Sequence, residues 1–276
     1  MMLVDAHQHF WQLADRNGAW PPPELSPIYR DFLPGDLVHL LERHGVARTV
    51  LVQSMPNEDD TRFMLDLARR HPFIGGVVGW ADMKAPDAPA RIAALAADPM
   101  LKGLRPMLQD LEDDRWIDDA ALGPAVEAML RHGLSFDALV LPRHLPALLA
   151  FAERYPALPI VIDHGAKPLI AQGVLEPWRG DIARLAALPQ VHCKLSGLVT
   201  EAGAEWDVAR LRPYVEHLVA SFGPQRLIWG SDWPVLNLAS DYAGWIAASA
   251  ALLAGLDEDD RRAVFGLNAQ RFYRID

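Results

Sequence analysis

Short apolar runs alternate with amphipathic stretches from one end of the chain to the other. Leu3-Val4-Asp5-Ala6-His7-Gln8-His9-Phe10 predicts a first strand, and residues 49–53 and 74–80 a second and third. Glycines 75, 76 and 79 in the third suit close packing against neighbouring backbone. Residues 101–106, 134–140, 159–164, 191–196 and 226–232 complete eight strands. Helical periodicity fills the intervals at 35–44, 58–71, 88–97, 122–132, 145–155, 178–188 and 208–222, and two further helices are expected at 242–253 and 258–265. Asp36 can cap the first helix, with Leu37, Leu40 and Leu41 on one face; Pro72 stops the second.

Eight strands alternating with helices, with no break in composition, predict an α/β fold: a single-domain (β/α)8 TIM barrel. The length of 276 residues suits one such barrel of about 250 residues. The pattern is interrupted once. Residues 11–34 form an insertion after strand one, rich in proline (Pro21 to Pro23) and aromatic side chains (Trp11, Trp20, Tyr29, Phe32). A loop of that length is either a functional lid or a cover over a barrel end. No glycine-rich phosphate loop is present, which weighs against dinucleotide and P-loop folds.

Composition narrows the function. Half the residues are hydrophobic (51%) and 22% are charged, so the chain has material for a core and no signature of disorder. A net charge of −10 argues against nucleic acid and anionic membrane surfaces as partners. Cys193 is the one cysteine, so no internal disulfide is expected, as in a reducing compartment. No basic segment leads into an apolar stretch at the start, and no window nears the ~18 apolar residues of a membrane span. A cytoplasmic protein is expected, with its oligomeric state open.

In a barrel of this kind the chemistry sits at the C-terminal strand ends. Those ends carry His7 and His9 on strand one, Gln53 on two and Arg105 on four. Asp137 ends strand five, His164 six and Asp232 eight. Residues two apart on a strand point the same way, so His7 and His9 aim two imidazoles at one place. Barrel closure makes strands one and eight neighbours and brings Asp232 to that pair. Three imidazoles and a carboxylate suit one divalent metal such as zinc. They equally suit a metal-independent hydrolytic site in which Asp232 is the base and cationic groups polarise a carbonyl. Arg105, Lys167, Trp11 and Gln53 are the candidate substrate-binding residues. Ser231 reads as a structural hydrogen-bonding residue. Cys193 has no evident base, and no Gly-x-Ser-x-Gly elbow exists, so neither a cysteine nor a serine nucleophile is expected.

Several segments carry a family resemblance. They are Asp-Ala-His-Gln-His-Phe-Trp at 5–11, Leu-Lys-Gly-Leu-Arg-Pro at 101–106, Asp-His-Gly-Ala-Lys-Pro at 163–168, Lys-Leu-Ser-Gly at 194–197, Trp-Gly-Ser-Asp-Trp-Pro at 229–234 and Asn268-Ala269. Together they resemble the amidohydrolase superfamily, in the amidohydrolase 2 branch. That branch holds sugar lactonases of the L-fuconolactonase and L-rhamnonolactonase type and 2-pyrone-4,6-dicarboxylate lactonase. The resemblance implies hydrolysis of a small-molecule lactone. His7, His9 and His164, with or without one zinc, would polarise the carbonyl, and Asp232 would activate water. Binuclear members also use a lysine on strand four and a histidine on strand five; Arg105 and Asp137 stand there instead, which limits the centre to one metal or none. An L-fucono- or similar aldonolactone is the expected substrate. The alternatives are an aromatic-degradation lactone (pyrone dicarboxylate or muconolactone type) and a metal-dependent decarboxylase.

Overall fold

The eight apolar runs pair side by side, in chain order, as one sheet of parallel strands. They are β1 (Leu3–Gln8), β2 (Val46–Val52), β3 (Ile74–Gly79), β4 (Leu101–Leu104), β5 (Ser135–Ala138), β6 (Ile160–Ile162), β7 (Val191–Leu195) and β8 (Leu227–Trp229). Gln8 bridges to Trp233 in parallel sense and brings the last strand end round to the first. The helices between strands are α1 (Pro34–His44), α2 (Glu58–Arg70), α3 (Ala88–Ala96), α4 (Gly123–Arg131), α5 (Leu145–Arg154), α6 (Trp178–Ala186), α7 (Leu198–Ala202) and α8 (Val208–Phe222). After β8 come α9 (Tyr242–Leu252), α10 (Glu258–Arg262) and α11 (Asn268–Tyr273). This computed structural model describes residues 2–16 and 18–276. It is the (β/α)8 barrel that the alternation predicts.

Parallel strands are covered on both faces, which is why they read as continuous apolar runs. One layer of core lies between sheet and helices. A second fills the barrel with Val4, Ala6, Val50, Val52, Val78, Val161 and Ile228. Phe272 and Tyr273 of α11, with Ile275, close that inner core from below. His192 faces the same region, its ring 4.8 Å from that of Phe272. The opposite end is left for polar side chains.

The strands stop earlier than the apolar pattern predicts. β8 ends at Trp229, three residues short of Asp232, whose φ of 60° is left-handed. β6 ends at Ile162, and Asp163–Ala166 is a 3-10 turn with His164 at φ 53°. Both residues therefore sit on tight turns beyond the strands. The five-residue α7 follows β7 without having been predicted, being too short for a periodic signal. In the insertion, Trp11 and Phe32 are buried and bridged to each other; Asn17 lies outside the described residues. Among the described residues no helix is long and apolar enough to cross a membrane.

Candidate active site

The site is built on the seam between β1 and the turn after β8. Across it, the Asp232 amide donates to the His7 carbonyl at 2.7 Å and the His9 amide to the Trp233 carbonyl at 2.8 Å. Asp5, fully buried, ties the seam from behind: its carboxylate accepts from the Ser231 amide (2.8 Å), the Ser231 hydroxyl (2.6 Å) and the Tyr242 hydroxyl (2.9 Å). Burial pushes its carboxyl up to about 6, against the pull of these donors. Between Asp5 and Gln8, β1 advances three residues while β2 advances two. This bulge lets Ala6 stay in the inner core while His7 enters the site. Gly230 permits the close approach: a Cβ there would lie 2.7 Å from His7 Cβ.

The imidazoles converge as expected. The His7 ring centroid is 4.9 Å from that of His9 and 4.4 Å from that of His164. His9 Nδ1 donates to the Val52 carbonyl at 2.7 Å, which fixes the tautomer and leaves a lone pair on Nε2. That lone pair faces Asp232 Oδ1 at 3.2 Å. Two acceptors so placed call for a cation beside them, and ligands about 2.0 Å from one zinc ion in tetrahedral array stand about 3.3 Å apart. His7, His9 and Asp232 hold ligand atoms all within 4.8 Å of one another. The donor set therefore fits one divalent ion. His164 Nδ1 meets the Ser196 hydroxyl at 2.9 Å, and its Nε2 lies 3.9 Å from Asp232. A Cβ at position 197 would come within 2.5 Å of that ring, so Gly197 makes room for it.

Burial keeps the imidazoles neutral. It lowers His7 well below the ordinary range, helped by the charge of Lys194; it lowers His9, and brings His164 to about 4. Burial alone would raise the Asp232 carboxyl, but His164, His9 and His7, which are protonated at the acid pH where that carboxyl titrates, outweigh it and hold the group well below the usual carboxylate range.

Behind the imidazoles lies a charged cluster that the strand ends alone did not reveal. Lys194 is fully buried; its Nζ donates to Asp137 Oδ2 at 2.7 Å and approaches Asp163 Oδ1 at 3.0 Å and His7 Nδ1 at 3.1 Å. Tyr273 from α11 donates to Asp137 Oδ2 at 2.6 Å, and Arg105 Nη1 to Asp163 Oδ2 at 3.1 Å. Arg105 Nη1 also lies 3.3 Å from His7 Nε2. Two cations match two carboxylates. Burial would raise Asp163, but Lys194, His7 and Arg105 together hold it well below its ordinary value, while burial raises Asp137. His7, Asp163 and His164 also have metal-ligand spacing, but Asp163 already holds Lys194 and Arg105, so the second position is filled by side-chain cations. The signal was in the sequence: Lys194 lies at an inward strand position, where an ammonium needs carboxylate partners.

His9 and His164 open onto a cavity of about 500 Å³. His9, His164, Asp232, Arg105 and Lys167 line it, as do Trp20, Gln109, Asp110, Glu201 and the apolar Met107, Leu139, Val235 and Leu238. Lys167 pairs with Glu201 at 3.7 Å. Two residues expected to bind substrate do not reach the cavity. Gln53 is buried and instead positions Arg105: its side-chain amide donates to the Arg105 backbone carbonyl at 2.7 Å, and its backbone carbonyl accepts from Arg105 Nη2. Trp11 is buried behind Trp20, its indole donating to the Arg30 carbonyl at 2.8 Å. Trp20, from the same insertion, is the aromatic residue at the cavity.

A family model described as Amidohydrolase matches residues 4–275. The chain belongs to the amidohydrolase family. This amidohydrolase is 60% identical to an L-fucono-1,5-lactonase of Burkholderia ambifaria, over 99% of the chain and 96% of the relative. It is 36% identical to an L-fucono-1,5-lactonase of Burkholderia multivorans, over 99% and 96%. A crystal structure of a Burkholderia multivorans amidohydrolase with bound zinc superposes with a TM-score of 0.94 at 36% identity, covering both chains completely.

Proposed function

We propose that this amidohydrolase opens the ring of a sugar-acid lactone, L-fucono-1,5-lactone or a similar aldonolactone, to give the free aldonic acid. The observation that carries the reading is an ionised carboxylate, Asp232, set beside His9, His164 and His7 at the floor of a cavity of small-molecule size. The two lactonase relatives support the substrate class. So does the charge of the cavity. Its lysine and arginine, Lys167 and Arg105, are matched by Glu201 and Asp163, and Asp110 adds a further carboxylate. Among the described residues lining the cavity, a dicarboxylate would find no unpaired lysine or arginine, whereas the hydroxyls of a neutral sugar would find donors and acceptors. A pyrone dicarboxylate is therefore not favoured.

Asp232 accepts a proton from the attacking water as its oxygen bonds to the lactone carbonyl carbon. His164 and Arg105 line the same floor and stabilise charge developing on the carbonyl oxygen. The tetrahedral adduct collapses by breaking the bond to the ring oxygen, which takes the proton from Asp232 and leaves as a hydroxyl. The new carboxylic acid then ionises, releasing one proton per turnover. Zinc, as in the Burkholderia multivorans structure, would be held by His7, His9 and Asp232 and would polarise the carbonyl as a Lewis acid. We place this work in the cytoplasm, in keeping with Cys193 being the one cysteine and buried.

Acid release followed with a pH indicator tests the substrate. Neutral aldonolactones are expected to be turned over, and aromatic dicarboxylate lactones to be inert. Turnover confined to the dicarboxylates would contradict the reading.

A further inference from the structure

Within residues 11–34, Arg16 is buried to 4% exposure although it sits on a short 3-10 turn (Leu13–Arg16) at the surface. A guanidinium is costly to bury unless its donors are used, and here they join two walls of the cavity. Nη1 donates to the Trp20 carbonyl at 3.0 Å, and Nη2 to the Ser54 hydroxyl at 2.6 Å. Asp60 balances the charge at 3.7 Å and accepts from the Ser54 amide at 3.2 Å. Trp20 and Ser54 both line the cavity. The guanidinium also lies 5.1 Å over the ring of Trp11, and Trp11 meets Trp20 edge-on with centroids 5.1 Å apart. Trp20 is thus braced at its carbonyl by Arg16 and at its ring by Trp11, with the half-buried remainder of the ring at the cavity.

We propose that Trp20 is the surface against which the carbon–hydrogen face of the sugar ring packs, and that Arg16 is the positioning residue that holds it there. The proposal rests on the lactone-hydrolase reading. A sugar lactone has one side rich in C–H bonds and hydroxyls that need polar partners. An indole supplies a large apolar surface, and pockets of this size orient a ligand by a few convergent polar groups. Gln109, Asp110, Lys167 and Glu201 supply those groups to the hydroxyls. Trp20 touches no reacting atom, so its contribution is to binding in ground and transition states alike. That kind of contact sets KM and leaves kcat unchanged.

Steady-state kinetics on an aldonolactone, with wild type, Trp20→Ala, Trp20→Phe and Arg16→Met, test this. Trp20→Ala is expected to raise KM about tenfold or more with kcat within about threefold, Trp20→Phe to stay within about threefold in both, and Arg16→Met to raise KM at nearly unchanged kcat. Calorimetric binding of the aldonic acid product to Trp20→Ala is expected to weaken in parallel. If Trp20→Ala leaves KM and product affinity within about twofold of wild type, or lowers kcat about tenfold at constant KM, the assignment is overturned. Loss of KM control in Trp20→Ala but not in Arg16→Met overturns the role of Arg16. A wild type without turnover overturns the lactonase reading and this proposal together, and so is distinct from a normal wild type with an unmoved variant.

Discussion

Lys194 shows how much one buried side chain can carry. It lies between Asp137, Asp163 and His7 with no solvent contact. Replacing it by methionine leaves Asp137 without its cation and Asp163 with Arg105 alone, and removing one partner of a buried pair costs about 3–5 kcal/mol. Urea unfolding of Lys194→Met is expected to show that loss, and the charge-matched Lys194→Met/Asp137→Asn double variant is expected to recover part of it. Equal stability of wild type and single variant would show that the cluster does not hold the barrel. The same residue marks a limit of sequence reading. His7, His9, His164 and Asp232 were legible because each follows an apolar run. Lys194 and Asp163 lie within motifs whose partners come from other strands, so their pairing depends on barrel register. Acid sensitivity follows from the imidazoles. His164 and His192 are brought to about 4 by burial, against 6.5 in the unfolded chain, and His7 and His9 are lowered too. Between pH 6.5 and 4 the unfolded chain binds more protons at these sites, so stability rises with pH and falls on acidification. Asp5, raised to about 6, works the other way, as do the raised Asp137, Asp60 and Glu201, while Asp232 and Asp163, held low, add to the loss on acidification. Thermal unfolding at pH 7 and pH 5 is expected to give the lower midpoint at pH 5; an unchanged or higher midpoint would contradict neutral burial.

Among the elements, the seam joining β1 to the turn after β8 matters most, because it is at once the closure of the barrel and the support of the site. Ser231 bonds Asp5 through both its amide and its hydroxyl, and its hydroxyl oxygen accepts from the Trp233 amide at 2.9 Å. Ser231→Ala keeps the backbone contacts but leaves Asp5 and that amide short of partners. A loss of about 1–3 kcal/mol is expected in chemical denaturation. No loss would mean that water or Tyr242 fully replaces the hydroxyl. Ser231 was legible as a structural residue. The turns were not. A left-handed Asp232 and His164 cannot be read from apolar periodicity, because tertiary contacts impose those angles. The bulge in β1 was equally hidden, since it exists only relative to β2.

Over the whole molecule, the barrel divides its interior into an apolar lower half and a charged upper half. Valines from β1, β2, β3 and β6 with Ile228, closed by Phe272 and Tyr273, exclude water from below. Above them come the matched charges of Arg105, Lys194, Asp137 and Asp163, and then Asp232 at the cavity floor. The fold was legible because each strand of such a barrel is buried on both faces and bounded by an amphipathic helix, a pattern that survives errors of several residues at each end. The layering makes Asp232 the carboxylate that lies beside the imidazoles and lines the cavity. The most direct measurement is therefore the hydrolysis of L-fucono-1,5-lactone by wild type and by Asp232→Asn, with folding checked by circular dichroism. Wild type is expected to turn over, and the variant to lose about 10²–10⁴ in kcat. A folded Asp232→Asn enzyme with wild-type kcat would contradict the account.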